Sequence, residues 1–351
     1  MTISQFIKKL STTFAGTAFV ALSGITAAQA ISITPTSNGN DLVNEILGSG
    51  ITIAPDSINY IGTGGASGIF TDGLLSGIGI DSGIILTTGT ATDAKGPNNS
   101  DKKTTDNKLS GDSDLDGLIP EEQTTFDATI LEFDFESEGG DLYFNYVFAS
   151  EEYVEWTNSK FNDVFGFFLN GTNIALIPGT STPVAINTVN GGKPLGTDAS
   201  NPEFFNNNDP SEGGPFFDIE YDGFTNLFTA QALGLSAGTH HIRLAIADAG
   251  DAFLDSAVFI QANSFSDMPT NTPTDTPTGI LKDMPTDTPT GILKDMPTDT
   301  PTGILKDMPK DMPTGILGSQ SPEDVPEPSV LIGLFIVGFA GSLLKRKINK
   351  V

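Results

Sequence analysis

The sequence contains no cysteine and few positively charged residues. Of its 351 residues, 17 are Lys or Arg and 44 are Asp or Glu, which gives a formal net charge of −27. Without cysteine the chain has no disulfide bonds, no thiolate metal site and no cysteine nucleophile. The excess of negative charge makes nucleic acid and anionic lipid surfaces poor partners, whereas divalent cations are favourable ones.

Histidine is also scarce, with only His240 and His241 in the chain. Neighbouring residues on a strand face opposite sides of the sheet, so these two side chains cannot bind one zinc ion together. We expect one of them in the core and the other on the surface. The sequence has no G-x-S-x-G motif, which makes a Ser-His-Asp hydrolase an unfavourable interpretation.

Long apolar runs occur only near the two ends of the chain. At the N-terminus, Lys8 and Lys9 precede a mostly apolar or small stretch over 10–25, and Ala28 and Ala30 form an A-x-A-type cleavage site. This pattern predicts that residues 1–30 are a signal peptide that signal peptidase removes. A retained anchor helix is less favoured, because several Ser and Thr residues interrupt the apolar run.

The C-terminal run is an apolar stretch over 330–344, between a turn and a basic end. Pro326, Glu327 and Pro328 come before it and Lys345-Arg346-Lys347 after it. The stretch is shorter than the about 20 residues of a stable spanning helix, so it is a marginal transmembrane segment. Residues 325–351 resemble the PEP-CTERM sorting signal. The resemblance implies an exosortase-type sorting enzyme as partner, transient membrane anchoring, and a final place at the cell envelope, on the surface or outside the cell.

A repeat of 12 residues precedes this tail. The unit Asp-Met-Pro-Thr-Asp-Thr-Pro-Thr-Gly-Ile-Leu-Lys occupies 283–294 and again 295–306. Proline at such short intervals prevents a helix or a central strand. We therefore predict that 267–324 is an extended, disordered Pro/Thr-rich linker, with spacing as its simplest role.

The body of the chain, 31–266, has the alternating pattern of β-strands. A short helix is predicted over Asp41–Leu47, capped by Asn40 or Asp41, and a hairpin joins the alternating stretches Leu131–Phe135 and Leu142–Phe148. Further strands are expected at Gly83–Thr88, Val164–Leu169, Ile174–Pro178, Val184–Val189, Phe216–Tyr221, Phe228–Leu235, His241–Ala247 and Ala257–Phe265. Roughly ten short strands predict an all-β, antiparallel two-sheet sandwich of jelly-roll type.

Alternating aspartates at Asp112, Asp114 and Asp116 are followed by Gly117. Such spacing can direct several oxygens at one calcium ion. An EF-hand is excluded, because Gln123 stands where the bidentate glutamate would be. The alternatives that remain are a different kind of calcium loop and a solvated acidic turn.

Two further acidic groups are Ser150-Glu151-Glu152-Tyr153 with Phe161-Asn162-Asp163, and Asp248-Ala249-Gly250-Asp251 with Asp255-Ser256. These motifs resemble the choice-of-anchor L domain, a bacterial surface module without a well-established activity. By a weaker likeness to the calcium site of CUB-type jelly rolls, Glu152, Asp163, Asp251 and Asp255 would converge at one end of the sandwich. Hard oxygen ligands without cysteine favour calcium as the cofactor.

These observations favour a calcium-stabilised surface or matrix module that takes part in adhesion, with a surface glycan or exopolysaccharide as the expected partner. Trp156 or Tyr153 could stack on a sugar, although an aromatic residue in a β-rich chain more often belongs to the core. A structural scaffold without a specific ligand is the alternative. A glycoside hydrolase, which needs paired carboxylates about 5–9 Å apart, is less favoured, and we do not expect an enzyme.

Overall fold

The structure is a computed structural model that describes residues 30–270. Residues 1–29 and 271–351 lie outside the described residues. These ranges contain the predicted signal peptide with Ala28, the linker beyond 270, the Pro326-Glu327-Pro328 motif and the apolar stretch 330–344. Between residues 30 and 270, no helix has the length and apolar character needed to cross a membrane.

The described chain forms two antiparallel sheets, which confirms the all-β two-sheet sandwich. Their strands, in chain order, are β1 Ser32–Pro35, β2 Ile51–Ile53, β3 Asn59–Ile61, β4 Ser67–Thr71, β5 Gly83–Thr87, β6 Thr125–Ser137, β7 Gly140–Ser150, β8 Val164–Leu169, β9 Thr172–Asn173, β10 Phe205–Asn207, β11 Gly223–Thr225, β12 Phe228–Leu235, β13 Gly238–Ala249 and β14 Ser256–Gln261. The first sheet has the order β1-β4-β5-β14-β7-β11-β10, with β12 also paired to β7. The second has the order β2-β6-β13-β8-β9, with β3 also paired to β6.

The predicted hairpin between the two long alternating stretches is wrong. Strand β6 pairs with β13, whereas β7 pairs with β14, β11 and β12 in the other sheet. The turn at Glu138-Gly139 therefore carries the chain from one sheet to the other. Alternation alone cannot separate these outcomes, because Phe135 and Phe144 face the core in either case, and here both contact Phe265.

Several other predicted strands are confirmed, because the observed strands begin and end at or near the predicted residues. The predicted bounds of β8 and β12 are those observed, and β5, β13 and β14 lie close to the predicted ranges. The predictions at Ile174–Pro178, Val184–Val189 and Phe216–Tyr221 are wrong. These stretches form single bridges only, and the prolines at 178, 183 and 215 remove backbone donors that a continuous strand needs.

Short helical segments complete the fold. Helix α1 spans Gly39–Ile46, α2 Gly73–Ser76 and α3 Ser113–Asp116, and single 3₁₀ turns span Ala91–Ala94, Pro202–Phe204 and Pro210–Glu212. The cap of α1 is Asn38, whose side chain accepts a hydrogen bond from the Asn40 amide, rather than Asn40 or Asp41. Leu42, Val43 and Ile46 bury one face of α1 in the core.

The apolar core has three parts. The largest lies between the sheets and contains most of the phenylalanines, including Phe133, Phe144 and Phe167. A second cluster covers the outer face of the larger sheet around Phe70 and Phe259. A third packs the α3 region, through Leu115, on the outer face of the smaller sheet. Strands β5 and β8 are buried along their whole length because they are covered on both faces.

Candidate metal centre and ligand pocket

Acidic residues meet at one end of the sandwich because four strands begin or end there. Ser150, the last residue of β7, pairs with Ser256, the first residue of β14, and Ala247 of β13 pairs with Val164, the first residue of β8. Glu152 follows β7, Asp163 precedes β8, Asp251 follows β13 and Asp255 precedes β14. The structure thus brings together the four carboxylates that the sequence analysis groups.

Asp163 occupies the centre of this end and is buried. Its Oδ1 accepts a 2.9 Å hydrogen bond from the Ala249 amide, and its Oδ2 accepts a 2.6 Å bond from Ser256 Oγ. Both donors favour the ionised form of the carboxyl. Burial outweighs them and raises the pKa of Asp163 to about 7.

Asp255 is also buried, and it is held by the loop before α3. Its Oδ1 accepts a 2.9 Å hydrogen bond from the Thr105 amide. A Cβ at Gly89 would lie only 1.6 Å from Asp255 Oδ2, so glycine is needed there for the carboxylate to approach the backbone. Burial raises the pKa of Asp255 to about 7.

Glu152 and Asp251 lie toward the outer edge of the cluster. Glu152 is buried and its Oε2 has no hydrogen-bond partner. Burial, together with the charges of Asp163 and Asp251, raises the pKa of Glu152 to about 10. Asp251 is partly exposed, and its Oδ1 accepts a 3.1 Å hydrogen bond from the Phe253 amide.

The four predicted ligands omit Asp248, which the structure places in the same cluster. Asp248 lies within β13 and is buried, and its carboxylate has no close hydrogen-bond partner apart from a weak contact with the Thr88 side chain. Burial and the charge of Asp163 raise its pKa well above the usual range. The alternation of β13 could have identified this residue, since Asp248 falls among buried alanines and isoleucines.

An uncompensated carboxylate inside a protein is costly, so each of these groups must carry a proton or meet a cation. The free oxygen of Glu152 and the carboxylate of Asp248 have the chemistry of ligands for a hard cation, because they are buried, anionic when ionised and poorly supplied with protein donors. Within residues 30–270, however, no group of three or more His, Asp or Glu side chains is placed so that it could hold a metal ion. A cation at this end would need these side chains in other rotamers.

The three aspartates of the predicted calcium loop are placed elsewhere and have protein partners. Asp112 caps α3 and forms an ion pair with Arg243, which also contacts Asp114 at 3.1 Å. Asp116 Oδ1 accepts hydrogen bonds from the amide and the hydroxyl of Thr125. The segment is a helical turn held against β13. Its aspartates bind Arg243 and Thr125 and share no partner with the Asp163 side chain.

A pocket of about 280 Å³ opens beside the Asp163 cluster. Its lining combines carboxylates, aromatic rings and one amine, contributed by Lys102, Glu152, Trp156, Phe161, Asp251, Phe253 and Leu254. Trp156 is 41% exposed and Phe253 56% exposed. The Phe161 ring meets the Trp156 ring edge-on at 5.0 Å, which fixes the orientation of the indole.

The remaining residues of the motifs have structural roles. Tyr153 is fully buried, and its hydroxyl donates a 2.7 Å hydrogen bond to the Val189 carbonyl, so it is a core residue. Asn162 Oδ1 accepts a hydrogen bond from the Asn187 amide and thereby holds the following loop. His240 is buried against Phe135 and His241 is exposed beside Asp134, which confirms the expected division.

Comparison with known proteins gives one match. The family model described as the choice-of-anchor L domain matches residues 31–266. No curated protein has significant similarity to the chain. No solved structure matches it significantly either.

Proposed function

Because the chain belongs to the choice-of-anchor L family, we propose that its sandwich is a calcium-stabilised binding module of a surface-associated, exported protein. The module binds a surface glycan or exopolysaccharide through the pocket beside Glu152 and Asp251. The observation that carries this proposal is the adjacency of unpartnered buried carboxylates and exposed aromatic rings at one end of the sandwich.

Calcium is supported by the chemistry of the acidic end. All side chains of the cluster offer oxygen ligands. Glu152 Oε2 has no donor, and Asp248 has only a weak contact with the Thr88 side chain. A bound cation would neutralise charges that otherwise repel one another inside the protein. The likeness to the calcium site of CUB-type jelly rolls supports the same assignment for Glu152, Asp163, Asp251 and Asp255.

A carbohydrate is supported by the composition of the pocket. Sugar rings stack on aromatic faces, and their hydroxyls bond to carboxylates and amines. Trp156 and Phe253 provide exposed apolar surface, while Glu152, Asp251 and Lys102 provide polar groups at the same opening. Lys193 Nζ lies 5.3 Å from the centre of the Trp156 ring and adds a second donor at the rim.

The ends of the chain complete the proposal. Signal peptidase would remove 1–30, and an exosortase-type enzyme would process the chain near Pro326-Glu327-Pro328. The repeat 267–324 would then separate the sandwich from the envelope. This part of the proposal rests on the sequence patterns alone.

A glycan array probed with the purified full chain tests the proposal, with calcium chloride and with chelator. We expect binding to a set of polysaccharides that chelator abolishes and Phe253→Ala weakens. Phe216→Ala is the matched control, since Phe216 is a similarly exposed phenylalanine outside the pocket lining.

The other outcomes of this experiment are equally informative. If no glycan binds in either condition, the domain is a structural scaffold of the envelope. If a bound polysaccharide is shortened during incubation, the carboxylates act as hydrolytic groups and the binding-module proposal is wrong.

A further inference from the structure

A second group of carboxylates lies beside the first, where β7 of the larger sheet ends. It consists of Glu151, Glu220 and Asp222, all buried. Gly223 of β11 pairs with Ser150 of β7, so Asp222 and Glu151 occupy the next position of the same antiparallel register. Opposite residues have Cα atoms roughly 4.5–5.5 Å apart and side chains on one face, where two like charges destabilise the pair.

Glu220 joins this pair through the loop over 98–103. Asn98 donates a hydrogen bond to Asp222, and the next residue, Asn99, donates one to Glu220, so these two carboxyl groups lie side by side. Burial raises the pKa of Asp222 to about 9.

One loop contacts all three carboxylates in the same manner. The Asn98 side-chain amide donates a 2.7 Å hydrogen bond to Asp222 Oδ1. The backbone amide of Asn99 donates a 3.4 Å hydrogen bond to Glu220 Oε2, and that of Lys103 donates a 3.5 Å hydrogen bond to Glu151 Oε2. Each carboxylate therefore uses one oxygen to hold the loop.

The second oxygen of each carboxylate has no partner. These atoms are Glu151 Oε1, Glu220 Oε1 and Asp222 Oδ2. The side chain of Glu151 is only 1% exposed, so water cannot satisfy its free oxygen at little cost. Burial raises the pKa of Glu220 despite the opposing effect of the Lys103 ammonium, and a single ammonium cannot balance three carboxylates.

From this arrangement we infer that Glu151, Glu220 and Asp222 form a second binding site for a divalent, oxygen-preferring cation such as calcium. The three free oxygens would supply the protein ligands after their side chains turn toward one point, because no three acidic side chains within residues 30–270 are placed to hold a metal as they stand. None of the three residues is among the four grouped around Asp163, but Glu151 adjoins Glu152, and its amide donates a 3.1 Å hydrogen bond to the Asp255 carbonyl.

Calorimetry can count the calcium ions that bind the full chain after treatment with chelator. The test compares the unmodified chain with the Glu220→Gln variant. We expect the variant to lose one bound calcium per chain. Gln keeps the shape of Glu and removes only the charge. Glu212→Gln is the control, because Glu212 is exposed and lies in the neighbouring 3₁₀ turn.

A second calorimetric comparison distinguishes the two sites. Glu152→Gln removes one charge from the Asp163 cluster, whereas Glu220→Gln removes one from the second group. We expect each variant to lose one bound calcium and the double variant to lose two.

The inference is overturned if Glu220→Gln binds as many calcium ions as the unmodified chain and the Glu212→Gln control. It is also overturned if the double variant loses no more calcium than Glu152→Gln alone. Loss of calcium in Glu220→Gln but not in Glu152→Gln would leave the second site standing and contradict the calcium role of the first.

Discussion

Ser256 Oγ donates a 2.6 Å hydrogen bond to Asp163 Oδ2, and this bond joins the two sheets of the sandwich. Asp163 precedes β8 in the smaller sheet, and Ser256 begins β14 in the larger one. The acidic end is thus a structural junction as well as a candidate cation site. Changes there should alter stability and ligand binding together.

Asp163→Ala should be strongly destabilising. The change removes the acceptor for the Ala249 amide and for Ser256 Oγ, both buried. A lost hydrogen bond to a charged group costs about 1.5–3 kcal/mol, so we expect about 3 kcal/mol or more for the pair. Denaturant unfolding measures it. Asp81→Ala, at an exposed position, serves as the control, and equal unfolding midpoints for the two variants would contradict the assigned role.

Calcium should raise the temperature of unfolding of the unmodified chain. A ligand that binds only the folded state at 100 times its Kd stabilises it by about 2.7 kcal/mol. For a domain of this size the shift is on the order of 5–10 °C. Calorimetric melting with calcium and with chelator measures the shift, and Asp163→Ala should lack most of it. Superimposable curves for the unmodified chain would refute the metal centre.

In chelator, the folded protein should lose stability as the pH rises. The pKa values of Asp163 and Asp255 are raised to about 7, and that of Glu152 to about 10, whereas unfolded Asp and Glu titrate near about 4. The folded state therefore holds more protons than the unfolded state above about pH 4, and its stability declines from there upward.

The measurement is the unfolding midpoint at about pH 5.5 and about pH 8. In chelator, we expect the unfolding midpoint to be lower at the higher pH. With calcium, which binds the ionised groups, the difference between the two midpoints should be smaller. A midpoint in chelator that increases with pH would show that these carboxyl groups are not held protonated.

Arg243 should contribute measurably to the stability of the α3 region. It is mostly buried and contacts Asp112, Asp114 and Glu132. Arg243→Met leaves buried Asp112 without its counter-charge, and loss of one partner of such a pair costs about 3–5 kcal/mol. Hydrogen exchange should show faster exchange at α3. His241→Asn, which removes an exposed pair with Asp134, should change stability by less than about 1 kcal/mol.

The C-terminal motif should determine where the protein is found. Deletion of 325–351 should release the chain without processing, and Glu327→Ala should leave the apolar stretch attached. Cell fractionation with mass spectrometry of the mature C-terminus measures both. An unchanged C-terminus and location in the Glu327→Ala variant would remove the sorting assignment.

The sequence predicts the sheet class and several strands because their burial pattern is local. Strand β12 alternates and β8 is continuously apolar, and both are found with the predicted bounds. Pairing depends on which distant strand covers each edge, and this information is not local. The sequence therefore predicts that a strand follows β6, but it does not predict that this strand, β7, belongs to the other sheet.

The candidate site shows the same limit. Asp163 and Asp255 could be grouped with Glu152 and Asp251 because of the likeness to the calcium site of CUB-type jelly rolls. Glu220 falls in the stretch Phe216–Tyr221, for which the sequence predicts a strand, and Asp222 follows that stretch directly. Their proximity to Glu151 follows only from the pairing of β11 with β7.

The passage of the chain from β6 into the other sheet after two residues has a consequence for biogenesis. Glu136 of β6 accepts a hydrogen bond from Thr239, which lies 103 residues later in the chain. Strand β7 pairs with β14, the last strand of the sandwich. Neither sheet can be finished by a nascent N-terminal portion, and contacts so distant form slowly. The sandwich consequently cannot be completed until β14 has emerged, a condition compatible with threading through a translocation channel.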